Sequence, residues 1–232
     1  MKRSIQIALP CFGEEEWQAL REPLTSGWVT QGPRVAAFGR AFAARHGVER
    51  ALATTSCTTG LHLILAALGI GPGDEVIVPS FTWVATANAV VYCGATPVIA
   101  DVNRVTFNID PGDVARRITG KTKAVIAVHL FGLCADMDAL RAVLPAHVAI
   151  VEDAACAAGA SYKGVSAAAS GLRLLSRFIH ASRSRPAKAA WSQPIMLLSL
   201  IQWIDCVIME PQYPRSNVTK APGLICCLNS TC

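Results

Sequence analysis

The sequence predicts an α/β fold built on a mainly parallel sheet with helices on both faces. Short runs of Val, Ile and Ala alternate along the chain with longer segments whose apolar residues recur at helical spacing. The strand runs are apolar throughout, as in strands that are covered on both faces, and do not alternate with polar residues. Ligands of such sheets bind at the carboxyl ends of the strands.

Six segments are predicted as helices because they join helical apolar spacing to a start or stop signal. The first begins in the acidic turn at Glu14 and runs to Leu24, where two glycines and a proline follow. The second is rich in alanine and is ended by Gly47. In chain order, the helices are expected within residues 14–24, 35–48, 58–76, 83–94, 110–118 and 135–144.

Five apolar runs between the helices are predicted as strands. Each is short and rich in Val, Ile or Ala, and each is bounded by turn residues or by the start of a helix. They lie within residues 51–57, 75–81, 96–102, 123–132 and 148–155.

The charge is distributed unevenly along the chain. The 232 residues carry a formal net charge of +5, but residues 1–172 hold 14 Lys+Arg and 14 Asp+Glu, whereas residues 173–232 hold 7 and 2. All of the basic excess therefore lies in the tail, and we do not interpret it as a nucleic-acid surface. The 52% hydrophobic content permits the core of one large or two small domains.

The sequence predicts a cytoplasmic protein with no metal site and no membrane partner. Its nine cysteines include no CxxC pair or Cys/His cluster of zinc spacing, so reduced thiols are favoured over a disulfide framework. The amino terminus lacks the long apolar run of a secretory signal. The apolar run 195–209 contains an aspartate and is shorter than the roughly 20 residues that span a bilayer.

Polar residues follow two of the predicted strands. The segment TTSCTTGLH joins a strand to a helix, so the amides of Cys57, Thr58 and Thr59 are candidates to bind a phosphate, with an ordinary Ser/Thr helix cap as the alternative. Glu152 and Asp153 end an apolar strand. A carboxylate there is costly unless paired, so Asp153 is expected either to meet a cation or protonated ring nitrogen, or to cap a helix.

Two ring side chains also stand at strand ends. Trp83 follows the second strand and is a candidate to stack on a planar ring, with a place in the core as the alternative. His129 follows the fourth strand, where a single histidine is more often structural than catalytic.

In order along the chain, five segments closely resemble the DegT/DnrJ/EryC1/StrS family of sugar aminotransferases: SGWVTQGPRVAAFGRAFAARHGV, SCTTGLHLILAALGIGPGDEVIVPSFTWVATANAVVYCGATPVIADV, TFNIDP, VHLFGLCADMDAL and VEDAACAAGASYKG. The resemblance runs from about Ile5 to Leu172. It implies the fold-type-I architecture of enzymes that use pyridoxal 5'-phosphate (PLP). It also implies transfer of an amino group from glutamate to a nucleotide-linked keto-sugar, and a homodimer with the active site at the interface.

The resemblance also implies roles for five residues. Thr58 and its neighbours match the segment that holds the cofactor phosphate, Trp83 the aromatic residue that stacks on the pyridine ring, and Asp153 the carboxylate that keeps the ring nitrogen protonated. Two positions depart from the family pattern. Cys57 stands where a glycine is usual and crowds the phosphate loop, and Cys156 stands where a glutamine usually bonds the cofactor's phenolic oxygen.

After Tyr162–Gly164 the family continues through a glycine to a segment like FSFHPRKSITTGEGGMV, whose lysine forms the Schiff base with PLP, and no such segment can be read in this chain. Writing that segment as plausible codons and reading one base later gives SRFIHASRSRPAKAAWS, which is Ser176–Ser192 of this chain without a mismatch. We therefore interpret residues 173–232 as an out-of-frame tail. The lysine codon is split between Ala181 and Ser182, so no catalytic lysine is present, and Lys188 arises from a glutamate codon.

The sequence thus predicts an incomplete PLP-binding large domain over residues 1–172, and a tail over 173–232 that is poorly ordered and forms no domain. It predicts a truncated chain that binds PLP weakly or not at all and is inactive as a transaminase, with an error in the recorded sequence as the alternative source of the shifted frame. One alternative is an active enzyme that recruits Lys163 or Lys188. The other is a non-catalytic binding protein whose basic tail contacts an acidic partner or a membrane.

Overall fold

The computed structural model describes residues 12–167 and the backbone of two short strands in the tail. Within these residues the α/β prediction is confirmed, because a seven-stranded sheet carries helices on both faces. The strands of that sheet are β1 Ala51–Thr54, β2 Glu75–Pro79, β3 Thr96–Ala100, β4 Thr122–Val128, β5 Ala149–Asp153, β8 Arg177–Ile179 and β9 Asp205–Ile208, and β6 Ser161–Tyr162 and β7 Val165–Ser166 form a separate hairpin. The helices are α1 Glu14–Ser26, α2 Pro33–His46, α3 Cys57–Ala67, α4 Ala85–Tyr92, α5 Pro111–Arg117 and α6 Met137–Val143.

The sheet is parallel through most of its width. In the order β1-β9-β8-β5-β4-β2-β3, the five strands from β8 to β3 run parallel to one another, and β9 is antiparallel to both of its neighbours. The parallel pairs place Val128 of β4 opposite Asp153 of β5, and Phe178 of β8 also opposite Asp153. Three strand ends therefore meet at one edge of the sheet beside Asp153.

Two apolar layers hold the sheet between its helices. On one face, α3 and α4 pack on alternate strand residues such as Val76 and Ile126. On the other face, α5 and α6 pack on the intervening residues Ile77, Val125 and Ile150. The uninterrupted apolar strands of the sequence follow from this arrangement, because each successive side chain meets one layer or the other.

The predicted strands and helices of residues 12–167 are all present with shifts of a few residues at their ends, except that the third helix, expected within residues 58–76, already ends at Ala67, before Gly69. Helix α1 continues to Ser26, and α4 begins at Ala85, after Trp83. The hairpin of β6 and β7 was not predicted, since strands of two residues are too short to show a sequence period. In residues 173–232 the structure describes only β8 and β9, which both belong to the seven-stranded sheet. The prediction for the other residues of the tail lies outside the described residues.

A buried carboxylate fixes the turn after β3. Asp113 of α5 accepts a hydrogen bond from the backbone N–H of Asp101 at 2.6 Å and pairs with Arg117 at 2.5 Å and Arg116 at 3.0 Å. The pKa of Asp113 is lowered to about 2, mainly by the hydrogen bond from the backbone N–H of Asp101 and secondly by the hydrogen bond from the Arg117 guanidinium. Its carboxylate is therefore ionised at neutral pH and ties α5 to the end of the strand.

Helix α2 lies against β1 at Gly39, and this contact gives a first prediction. A Cβ built at residue 39 would lie 2.6 Å from the carbonyl oxygen of Ala51, closer than folded proteins allow. We expect Gly39→Ala to destabilise the fold by about 1–3 kcal/mol through overpacking, despite the better helix propensity of alanine. Urea denaturation measures the change.

Gly120→Ala is the matched control, because a Cβ at that position meets nothing within 4 Å. The control should unfold at the same urea concentration as the parent chain within error. If Gly39→Ala is as stable as the parent chain, the result would contradict the close contact between α2 and β1 at Gly39.

Candidate functional site

The candidate site residues lie at the carboxyl edge of the parallel sheet. Asp153 is the last residue of β5, and α3 begins at Cys57, three residues after β1 ends. Trp83 lies in the loop between β2 and α4, and His129 directly follows β4. Since parallel strands end at one edge, the sequence prediction that these positions cluster agrees with the topology.

The Asp153 side chain is 5% exposed and is surrounded by donors. The backbone N–H of Ala155 donates to Oδ1 at 3.1 Å, and the thiol of Cys57 lies 3.6 Å from the same oxygen. The Thr86 hydroxyl of α4 lies 3.5 Å from Oδ2. The thiol and the hydroxyl are neutral donors, so a cationic N–H donor placed at this carboxylate would be a stronger partner.

The amino terminus of α3 faces the same region with three hydroxyl side chains. Ser56 caps the helix, since its Oγ accepts the N–H of Thr59 at 3.1 Å. The Thr59 hydroxyl lies 2.9 Å from Ser56 Oγ and 3.3 Å from that of Thr55. The helix-cap interpretation is thus correct for Ser56. This cap is compatible with anion binding, because it uses only the N–H of Thr59. The other N–H groups of the first turn, including that of half-buried Thr58, have no partner within the helix.

Trp83 is not a core residue. Its side chain is 79% exposed, and its backbone carbonyl accepts the N–H of Thr86 at the start of α4. The indole therefore stands in solvent one turn before the helix that contacts Asp153, where it is available to a planar ligand.

The two cysteines that depart from the family pattern both lie near Asp153. Cys57 is half-buried, with its sulfur beside the carboxylate, whereas Cys156 is exposed three residues beyond it. The pKa of the Cys156 thiol is raised, mainly because the sulfur is partly desolvated and secondly because Asp153 is negatively charged. A hydrogen bond from the backbone N–H of Phe131 lowers this pKa by a smaller amount. Cys156 is therefore a neutral thiol at neutral pH, and it cannot replace the hydrogen-bonding amide of a glutamine.

His129 is a structural histidine, as its sequence context indicated. It is fully buried, and Nε2 lies 2.9 Å from Oε2 of Glu152, which is also fully buried. The backbone N–H of Ala135 donates to Nδ1 at 3.2 Å. Because Nδ1 accepts a hydrogen bond, the ring proton is on Nε2, and Nε2–H donates to the Glu152 carboxylate.

Two residues near the site were missed by the sequence analysis. Thr86 is buried and contacts Asp153, but its position in an apolar helix gave no signal of that contact. Asn108 accepts the N–H of Leu130 at 3.0 Å and donates to the carbonyl of Leu133 at 2.9 Å, so it fixes the turn after β4. Its place in the motif TFNIDP was the only available signal.

Three exposed phenylalanine rings lie together beyond the strand ends. The ring of Phe81 is centred 5.5 Å from that of Phe107 and 6.4 Å from that of Phe131. Phe107 and Phe131 both have positive φ angles, 59° and 55°, which are uncommon for aromatic residues. Turns held in such conformations cluster at functional edges of folds.

Lys163, one of the two lysines considered as substitutes for a catalytic lysine, is unsuited to that role. It lies in the turn between β6 and β7, and Nζ is paired with Asp138 at 2.5 Å. The hydrogen bond from Nζ to that carboxylate raises the pKa of Lys163. A nucleophilic amine must lose its proton, so this environment disfavours the reaction. Lys188 lies outside the described residues.

The donor set fits a ligand that combines a phosphate, a planar ring and a protonated ring nitrogen. The α3 amino terminus presents amide and hydroxyl donors that would suit a phosphate, Trp83 presents an exposed aromatic face, and Asp153 presents a buried carboxyl group. PLP has these three features. In the described part of the chain, no helix is both long and apolar enough to cross a bilayer.

The sequence model of the DegT/DnrJ/EryC1/StrS aminotransferase family matches residues 10–178. Among solved structures, the chain resembles Spr1654 of Streptococcus pneumoniae in its PLP-form, with 26% identity and a TM-score of 0.78 over 94% of this chain and 56% of that one. It also resembles the aminotransferase TlmJ of Streptoalloteichus hindustanus, with 32% identity and a TM-score of 0.76 over 88% and 53%. A third is DesV of S. venezuelae, with 34% identity and a TM-score of 0.72 over 86% and 50%. The chain spans about half the length of these structures.

Proposed function

The chain belongs to the DegT/DnrJ/EryC1/StrS aminotransferase family, and from that premise we propose that residues 1–172 are the PLP-binding large domain of a sugar aminotransferase, in incomplete form. The full activity of such an enzyme is transfer of an amino group from glutamate to a nucleotide-linked keto-sugar, in the cytoplasm. The observation that carries the proposal is the buried Asp153 carboxylate, at the same sheet edge as the α3 amino terminus.

Each described site residue has a part in holding the cofactor. Asp153 binds the protonated ring nitrogen, the first turn of α3 with Thr58 binds the phosphate, and Trp83 covers one face of the ring. When bound, PLP supplies an electron sink for the substrate carbon that loses its proton. The buried charge of Asp153 keeps the nitrogen protonated because its attraction is little screened in the protein interior.

We further propose that the present chain lacks transaminase activity because the lysine segment is out of frame. Support comes from the 17-residue match of Ser176–Ser192 to the shifted reading. It also comes from the position of β8, whose carboxyl end lies beside Asp153. The split lysine codon falls at Ala181 and Ser182, two or three residues after β8 ends. In the other frame a lysine would therefore follow the end of β8 by two or three residues along the chain.

Titration of the purified chain with PLP, followed by equilibrium dialysis, tests the cofactor-binding proposal. We expect weak, reversible binding that dialysis against buffer removes, since no lysine holds the cofactor covalently. An absence of any saturable binding would contradict the proposed function. Tight binding that survives dialysis would contradict the proposed loss of the lysine.

Replacement of Trp83 separates ring stacking from the other contacts. We expect Trp83→Ala to weaken PLP binding several-fold, because aromatic stacking contributes about 0.5–1.5 kcal/mol. Thermal stability should not change, since the indole is exposed. Trp17→Ala on α1 removes another exposed indole and is the matched control, for which PLP affinity should equal that of the parent. Equal affinity for Trp83→Ala and the parent would remove Trp83 from the site.

A further inference from the structure

The backbone and the side chain of His129 both bond to the dipeptide Glu152–Asp153. Its backbone N–H donates to the Asp153 carbonyl at 2.9 Å, and Nε2–H donates to the Glu152 carboxylate at 2.9 Å. All of these side-chain atoms lie in the interior, where a hydrogen bond to a charged group is strong and costly to break. The end of β5 is thus attached to the end of β4 at two points.

Glu152 and Asp153 point to opposite faces of the sheet, because successive side chains in a strand alternate. A bond that holds Glu152 on one face therefore also fixes the rotation of the strand end about its own axis. That rotation sets the direction of the Asp153 carboxylate on the other face. The Ala135 N–H bond to Nδ1 holds the imidazole ring in its orientation and fixes its tautomer.

We propose that His129 is a positioning residue that aims the Asp153 carboxylate at the cofactor's ring nitrogen. This inference rests on the proposed function, since it requires that Asp153 binds that nitrogen. His129 touches neither ligand nor reacting atoms. It acts through Glu152 and through the backbone of Asp153.

The test compares PLP with its analogue in which the pyridine nitrogen is replaced by a carbon. The two molecules share the phosphate and the ring face, so the ratio of their dissociation constants isolates the Asp153 contact. For the parent chain we expect PLP to bind roughly 10- to 100-fold more tightly than the analogue, as for a hydrogen bond to a charged group. A ratio near one for the parent would contradict both the assignment of Asp153 and this inference.

His129→Leu removes both side-chain hydrogen bonds and keeps an apolar group of similar size. We expect the ratio to fall to within about threefold of one, as the oriented charge-assisted bond is lost. His129→Gln keeps a donor for Glu152 and should recover a large part of the ratio. Folding of each variant is checked by circular dichroism, and the conservative His129→Gln keeps the test available if His129→Leu does not fold.

Leu140→Ala on α6 is the control for general core damage, because Leu140 is fully buried in the layer on the other face of the sheet. Any loss of affinity in this variant should affect PLP and the analogue equally, so that its ratio stays that of the parent. A parent-like ratio in His129→Leu, or an equal fall of the ratio in Leu140→Ala, would overturn the positioning role and leave the Asp153 assignment intact.

Discussion

Reduction of the purified chain with borohydride in the presence of PLP is expected to yield no pyridoxyl adduct confined to one lysine. Two of the described lysines, Lys121 and Lys123, lie at the amino end of β4, the opposite edge of the sheet from Asp153. The third, Lys163, is held by the Asp138 carboxylate. None of these three amines is both deprotonated and placed at the candidate site, so any labelling of them should be slow and scattered. Peptide mass spectrometry after reduction measures the result.

The matched positive control is a gene returned to the neighbouring reading frame after codon 172. Its product should carry a lysine at the split codon, and borohydride should label that lysine alone. The frameshift interpretation fails if the neighbouring frame of the gene does not encode a His-Pro-Arg-Lys segment. A specific adduct on Lys163 or Lys188 of the present chain would instead support an enzyme that recruits another lysine.

Asp153→Asn is expected to lower the affinity for PLP roughly 10- to 100-fold, the effect of losing a hydrogen bond to a charged group. The substitution keeps the size of the side chain and its bond from the Ala155 N–H, but removes the negative charge that favours the protonated ring nitrogen. Equilibrium dialysis against PLP measures the change. The affinity for the carbon analogue of PLP should stay the same.

Asp113→Asn is the matched control, since it also neutralises a buried aspartate with strong partners, on α5. We expect it to destabilise the fold at neutral pH without changing the affinity for PLP. The direction of the stability change follows from the lowered pKa of Asp113. Ionised Asp113 stabilises the folded state at pH values above the pKa of this residue in the unfolded chain, and that stabilisation is lost as the pH falls toward about 2. A similar loss of PLP affinity in both variants would remove Asp153 from the proposed site.

The sequence predicted the layers of the fold well because the strands and helices differ in apolar spacing. The apolar run Ala124–Val128 of β4 is buried throughout, and the ends of such runs place Asp153 and His129 at one edge. Contacts that join distant segments could not be predicted in this way. The approach of Thr86 to Asp153 and the two bonds of Asn108 to the turn after β4 depend on how helices and loops cross the sheet.

The exposure of individual side chains also could not be predicted from the sequence. Trp83 and Val84 stand in the same loop and both are exposed, although an aliphatic residue beside an aromatic one favours a place in the core. Only the path of the chain from β2 into α4 determines which of these side chains turn outward.

The place of β9 in the sheet has a consequence for synthesis of the chain. In the described sheet, β1 is hydrogen-bonded only to β9, which pairs Ala51 with Ile208 near the other end of the sequence. A ribosome therefore releases β1 long before its partner strand exists, and the open edge is a template for pairing between nascent chains. The proposed frameshift therefore changes the residues of the strand that closes this edge, in addition to removing a lysine.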